Sequence, residues 1–289
     1  MKTLSIIGPG KVGKTLGRVF SQAGAVLVQD ICGRTQSSAN DAAAFIGAGR
    51  AIADLSQLSP ADAYLIAVPD DAIGACSVAL AASALPAGVL VFHCSGALTT
   101  EVLQAVRDAG ARTASIHPVR SFADPQRVAA TFAGTGCGIE GDVDAIAEIR
   151  ALFETVGAQV FDIDAANKTL YHAAAVFASN YVVTLIDVAM KTYGAAGIAN
   201  AGALALIGPL LCETADNALR LGPAAALTGP IARGDMASVA RQQDALTATN
   251  PVAAALYAAL AQATMSLASE RRAPATGTSE TASIVERKS

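Results

Sequence analysis

The first residues able to do chemistry come early in the chain. Gly8-Pro9-Gly10-Lys11-Val12-Gly13 follows the apolar run Leu4–Ile7 and opens a helical segment. A strand before and a helix after give this glycine pattern the context of a pyrophosphate-binding turn. Gly8 permits the tight turn, Gly10 lets the backbone approach the phosphates, and Gly13 lets helix and strand pack closely. The helix N-terminus adds free N–H groups and a positive dipole end. Dinucleotide binding through residues 8–13 is expected, with a plain strand–helix turn as the alternative.

The next strand, Val26–Cys32, bears on which dinucleotide is held. A carboxylate at its end suits the ribose 2′-OH of NAD, whereas an arginine suits the 2′-phosphate of NADP. The run Ile31-Cys32-Gly33-Arg34-Thr35 puts Arg34 past the strand end, to stack on adenine and pair with the phosphate. Thr35, and Ser37 beyond it, would donate hydrogen bonds. Asp30 competes: were the strand to end earlier, it would bind the ribose. NADP is the expected cofactor and NAD the alternative.

Ligands of such sheets lie across the carboxyl ends of the strands. Val68 and Pro69 are expected to line the cofactor, and Asp70 and Asp71 to cap the next helix. Ser95, in His93-Cys94-Ser95-Gly96, joins the cofactor set. A His93–Cys94 nucleophile pair is geometrically unfavourable because neighbouring strand residues face opposite sides. His117, in Ser115-Ile116-His117-Pro118, reaches the same rim either as a site contact or as a structural imidazole. Further on, Lys168 and His172 are spaced i, i+4 on one helix face, with Ser179 and Asn180 close to the same stripe. His172 or Lys168 could donate a proton there while Asn180 orients a carbonyl oxygen, unless the stripe meets only solvent or a partner subunit. Arg233 could clamp a substrate carboxylate or pair with a nearby Asp. Three histidines without ligand spacing argue against a metal site.

These residues need elements to position them. The strand-like runs are Leu4–Ile7, Val26–Cys32, Ala63–Val68, Val89–Phe92, Thr113–Ile116 and Val160–Ile163, with a weaker one near Gly136–Ile139. Helical lengths separate most of them, and their unbroken apolar character suits a parallel sheet covered on both faces. The expected class is α/β: a doubly wound Rossmann domain over 1–164, then an all-helical domain over 165–272. Asp164 and Asn250-Pro251 read as helix starts. Residues 273–289, rich in Thr, Ser, Glu and Lys, read as a disordered tail.

Composition narrows the function classes. The 289 residues are 53% hydrophobic and 15% charged, with net charge -4, which supports a large core and no electrostatic nucleic-acid surface. Five scattered cysteines without CxxC spacing, and no signal-peptide core at the start, suggest reduced thiols in the cytoplasm. The uncharged stretch Thr192–Cys212 is long enough to span a bilayer, but Asn200, Pro209 and its many alanines favour a buried soluble helix.

Taken together, GPGKVG, AVPDDAI, HCSGAL, SIHPVRSF, YHAAAVFASNY and TGPIARGD resemble, in that order, a family of bacterial Rossmann-like oxidoreductases. Its helical C-terminal domain is of unknown function, and the likeness runs to about residue 270. The family looks related to pyrroline-5-carboxylate reductase, ketopantoate reductase and 6-phosphogluconate dehydrogenase. The resemblance implies a nicotinamide-dependent reductase with its substrate between the Rossmann and helical domains, and helical-domain dimerisation. The chain departs from the Lys-x-x-x-Asn pair of the hydroxyacid dehydrogenases, since His172 stands four after Lys168. The Ser-Gly-Ser of the pyrroline carboxylate reductases is replaced by Ala178-Ser179-Asn180. The expected function is hydride transfer between NADP and a small carbonyl or imine in the interdomain cleft. The alternative is a regulatory protein that binds NADP(H) without turnover. Expected partners are a small-molecule substrate and a second copy bound through the helical domain, with no nucleic acid and no membrane.

Overall fold

The computed structural model describes residues 2–83 and 85–272, in two compact units, Met1–Asn180 and Tyr181–Ser289. The stretch read as a tail, 273–289, lies outside the described residues.

The first unit is built on an eight-stranded sheet ordered β3-β2-β1-β4-β5-β6-β7-β8. Its strands are β1 (Thr3–Ile7), β2 (Leu27–Cys32), β3 (Arg50–Ile52), β4 (Ala63–Ile66), β5 (Leu90–His93), β6 (Arg112–Pro118), β7 (Gly136–Gly141) and β8 (Gln159–Asp162). Helices α1 (Lys11–Gln22), α2 (Gln36–Ile46), α3 (Asp70–Ala81), α4 (Gln104–Asp108), α5 (Pro125–Ala130) and α6 (Val143–Thr155) link them. All pairings from β3 across to β6 are parallel, and the order reverses at β1, flanked by β2 and β4. That reversal is where a doubly wound sheet opens a ligand crevice. Alternate residues feed two cores, Leu4, Ile6, Leu65 and Phe92 on one side and Ile7, Ile66 and Val91 on the other. Hence the strands are apolar without alternation. Phe20 of α1 meets Phe153 of α6 edge-to-face at 5.1 Å, closing the first core.

Two features go beyond the sequence reading. The three-residue strand β3 is too short to leave a periodic signal. The sheet also ceases to be parallel at β7, which runs antiparallel to β6. Residues 119–124 stay at the carboxyl edge, where Lys11 Nζ donates to Ala123 O (3.1 Å). Val119 N–H bonds to Gly136 O (2.8 Å), so β7 starts from that edge and returns.

The first unit continues past residue 164. Helix α7 (Lys168–Ala178) belongs to it, because its Lys168, Tyr171 and His172 face the sheet. The single helix read through this region is divided. Ser179 leaves helical geometry (φ -132°, ψ -73°), and its Oγ donates back to Ala175 O (2.6 Å), a bond that bends helices. A new helix, α8 (Asn180–Ala195), follows. By length and hydropathy alone, two helical stretches could cross a membrane, Ala165–Ala195 and Pro251–Arg271. The first is interrupted at Ser179 and pinned to the sheet by Lys168. The stretch Thr192–Cys212 is itself broken by a turn.

The described part of the second unit is wholly helical. After α8 come α9 (Asn200–Leu221), α10 (Pro223–Ala226), α11 (Pro230–Arg233), α12 (Met236–Thr249) and α13 (Pro251–Arg272). Asn250 caps α13 as read from sequence, its side chain accepting from Ala253 N–H (3.1 Å). Helices α8, α12 and α13 line an apolar groove of about 630 Å³ that includes Leu185, Leu246, Leu256 and Leu260. On α9, Leu204, Leu210 and Leu219 are exposed.

Candidate active site

The phosphate loop has the geometry its glycines imply. Gly8 has φ +85°, and a Cβ there would lie 2.5 Å from Val68 Cγ1. A Cβ on Gly13 would lie 2.6 Å from Gly8 O. Neither position tolerates a side chain. Gly10 caps α1 without a side-chain bond, and Lys14 N–H is the donor to Gly10 O (3.0 Å). Gly8 N–H is spent on Cys32 O (2.9 Å) and Gly10 N–H on Gly8 O (2.8 Å), so the N–H groups of Lys11, Val12 and Gly13 in the first turn of α1 are the ones a pyrophosphate would take. Pro9 and Val12 complete the loop. The Lys11 side chain ties the loop to Ala123 O (3.1 Å), which leaves its backbone N–H at the start of α1.

Strand β2 runs to Cys32, so Gly33-Arg34-Thr35 does stand just past its end. Arg34 is exposed, and Thr35 Oγ1 caps α2 by accepting from Ser38 N–H (3.2 Å). Asp30, the competitor, is buried within the strand. Its carboxylate accepts from Arg50 Nε (2.8 Å) and Ser59 N–H (2.6 Å). Burial pushes this carboxyl up, but the bonds from Arg50 and Ser59 outweigh it and hold the pKa below the ordinary value. Asp30 is committed to that pairing.

Pro69 caps α3, and Val68 packs on Gly8. Ser95 is turned inward. Its Oγ donates to Asp70 Oδ2 (2.8 Å) and accepts from the N–H groups of Ala97 (3.2 Å) and Leu98 (2.9 Å), so it shapes its own loop. His93 is likewise structural: Nδ1 accepts from Ser95 N–H (3.1 Å) and Nε2 faces Thr99 O (3.3 Å). Burial, then the Lys168 charge, push its pKa down to about 3.

Strand register explains what gathers beneath α7. His93 pairs with Ser115, Ser115 with Glu140, and His117 with Gly138, which puts all five on one face of the sheet. Lys168 Nζ descends onto this face and donates to Glu140 Oε1 (2.8 Å) and to Ser115 Oγ. Glu140 also accepts from Thr100 N–H and Thr100 Oγ1 (3.0 Å each). Burial lowers the Lys168 pKa, and Glu140 opposes it. Lys168, expected as a proton donor, is thus enclosed and anchors α7. A turn later, Tyr171 Oη lies 3.0 Å from His117 Nδ1. Gly138 makes room, since a Cβ there would stand 2.5 Å from the phenol oxygen.

His172 completes the group. Its ring lies 5.7 Å from that of His117, steeply inclined at 70°. Both rings close over Gly96, whose absent Cβ would fall 2.4 Å from His172 Nδ1 and 2.8 Å from His117 Nε2. His172 Nδ1 is buried and has no hydrogen-bond partner among the described residues. Burial, then His172, then Lys168, lower the His117 pKa to about 4 against a smaller pull from Asp70, so His117 is neutral at pH 7.

The remaining candidates lie apart from this cluster's contacts. Ser179 and Asn180 are exposed at the helix break, joined by a 3.0 Å bond from Ser179 Oγ to Asn180 Oδ1. In the second unit, Arg233 lines a cavity of about 440 Å³ with Leu227, Thr228 and Arg271, and makes no salt bridge among the described residues. No cluster of three or more potential metal ligands occurs among the described residues. Sequence reading missed Tyr171, Glu140, Gly96 and Gly138. Tyr171 was within reach, being i+3 from Lys168 and next to His172.

Comparison with known proteins assigns both halves of the chain. Residues 2–118 match a Rossmann-like domain and residues 135–264 match a domain of unknown function, DUF2520. The chain is thus similar to a Rossmann-like domain over one stretch and to DUF2520 over another, each covering less than half of it. The DUF2520 match opens with β7 and contains Glu140, Lys168, Tyr171 and His172, whereas His117 and Gly96 fall in the Rossmann-like match. No curated protein matches the chain. Among solved structures, a Bacteroides fragilis protein provisionally named an NADP oxidoreductase superposes with TM-score 0.77 at 22% identity, covering 92% of this chain and 98% of its own. Protein TM1727 from Thermotoga maritima gives TM-score 0.74 at 26% identity, over 93% and 100%. A pyrroline-5-carboxylate reductase from Coxiella burnetii gives 0.59 at 16%, over 93% and 98%. These likenesses establish the shared fold.

Proposed function

We propose that this protein is an NADP-dependent oxidoreductase acting on a small carbonyl or imine compound. The observation that carries this reading is the unpartnered, buried His172 Nδ1, set beside His117 at the sheet edge that also bears the glycine loop. The cofactor, when bound, supplies or accepts the hydride. The N–H groups at the start of α1, Lys11 to Gly13, hold the pyrophosphate, and Gly8 and Gly13 let the loop pack closely against Ala67 and Val68. Arg34 pairs with the 2′-phosphate, and Asp30, engaged by Arg50 and Ser59, is not free for a bare ribose. His172 delivers the proton to the substrate heteroatom, and neutral His117 donates a hydrogen bond beside it. The names of the structural neighbours, an NADP oxidoreductase and a pyrroline-5-carboxylate reductase, agree with this reaction class.

The protein is also proposed to work in the cytoplasm as a homodimer through its helical unit, since α9 leaves Leu204, Leu210 and Leu219 exposed. Sedimentation at micromolar concentration should give a dimer. A monomer there rules the dimer out. The test of function is NADPH absorbance in the presence of pooled 2-oxo acids, aldehydes and imines. Consumption with at least one pool is expected, and none with any pool would count against turnover.

A further inference from the structure

Tyr171 makes the closest polar contact to His117 yet has no part in the reaction described above. We propose that Tyr171 is a positioning residue that locks His117 as its Nε2–H tautomer and so aims a neutral N–H at the substrate heteroatom over Gly96. The lock concerns this chain alone; the use made of it rests on the oxidoreductase reading.

The argument starts from the phenol. Its oxygen lies 3.0 Å from His117 Nδ1, with the two rings edge-to-face at 5.6 Å and 86°. Burial raises the Tyr171 pKa against a smaller effect of the Gly138 N–H bond, so the phenol keeps its proton. The phenol O–H needs an acceptor. Among the described residues His117 Nδ1 is the one it meets, and an O–H left without an acceptor in this half-buried place is costly. A neutral imidazole carries a single N–H. With Nδ1 accepting, that proton is on Nε2.

Nε2 is the nitrogen on the Gly96 side. The absent Cβ of Gly96 marks a point 2.8 Å from it and 2.4 Å from His172 Nδ1. Gly96 thus lets both rings approach its backbone, with His117 presenting a fixed Nε2–H donor beside His172. A carbonyl oxygen or imine nitrogen brought against that donor takes the His117 N–H bond in the ground state. On reduction the substrate carbon gains the hydride, the π pair moves to the heteroatom, and His172 delivers the proton. His117 keeps its own. The two glycines are part of the device: a side chain at 96 would strike both imidazole rings, and one at 138 would displace the phenol.

The test is 15N NMR of histidine-labelled protein at pH 7, which distinguishes pyrrole-type from pyridine-type ring nitrogens. Wild type should show His117 with Nε2 pyrrole-type. In Tyr171→Phe the signature should move toward the Nδ1–H form, and Gly138→Ala should do the same with the phenol intact. The charged or titratable groups around the ring are His172 and Lys168 on α7 and Asp70 on α3, and none is altered by either variant. An Nδ1–H form in wild type, or no change in Tyr171→Phe, overturns the lock. With the pool that consumes NADPH, Tyr171→Phe should lower kcat at least ~10-fold with KM for NADPH unchanged. An unchanged kcat beside an altered tautomer overturns the donor role. A fixed Nε2–H form in an enzyme that consumes no NADPH supports the lock and sinks the oxidoreductase reading instead.

Discussion

Lys168 Nζ lies 2.8 Å from Glu140 Oε1, and the two side chains are only 1% and 6% exposed. The bond ties the first turn of α7 to the far end of β7, and through it sets the height at which Tyr171 and His172 meet the carboxyl edge. Removing one partner strands the other charge in the core. Lys168→Met should cost ~3–5 kcal/mol in urea unfolding, while Lys168→Met with Glu140→Gln should recover much of it. A single-variant loss below ~1 kcal/mol would show the pair to be dispensable.

The two depressed histidines make stability depend on pH. Each has a folded pKa below its ordinary 6.5, about 4 for His117 and about 3 for His93. The unfolded chain therefore takes up these protons first as pH falls, which favours unfolding. Their contribution is complete above about pH 6.5, declines toward pH 4 for His117 and toward pH 3 for His93, and is absent below. Unfolding midpoints of His117→Gln should fall less steeply than those of wild type between pH 6.5 and 4. Parallel curves would mean that His117 titrates normally in the fold.

Cofactor choice rests on Arg34. Arg34→Ala should weaken NADPH binding ~10- to 100-fold in calorimetric titration, the scale of a charge-assisted bond to phosphate, and leave NADH binding nearly unchanged. Equal affinity of wild type for both cofactors would contradict this, and would require a ribose ligand other than the committed Asp30.

His172 offers the sharpest kinetic test. His172→Ala should bind NADPH as wild type does and lose ~10²-fold or more in turnover, the scale of a lost general acid. Full activity would transfer the proton-donor role elsewhere.

How far these residues could be read in advance follows from the kind of signal each leaves. Gly8-Pro9-Gly10-Lys11-Val12-Gly13 was legible because the turn, strand and helix are contiguous. So were the strands from β1 to β6 other than β3, whose continuous apolar runs record burial on both faces. Lys168 and His172 were found by their i, i+4 spacing, but spacing gives a shared face and not what that face meets. Lys168 meets Glu140, 28 residues earlier in sequence, and its enclosure follows from the antiparallel return of β7, which leaves no local pattern. Ser95 misled for a related reason: its place at a strand end suggested a ligand, whereas its hydroxyl is consumed by Asp70, Ala97 and Leu98. Gly96 and Gly138 are informative only once the atoms their missing side chains would strike are known.

The most direct measurement of the central claim is isotope transfer. Protein incubated with NADPH deuterated at the nicotinamide C4 and with the pooled oxo acids, aldehydes and imines should yield a reduced product one mass unit heavier, detected by mass spectrometry. The label should appear with wild type and drop sharply with His172→Ala. Tight NADPH binding with the deuterium retained in the cofactor against every pool would contradict hydride transfer and leave a protein that senses NADP(H) without turning it over.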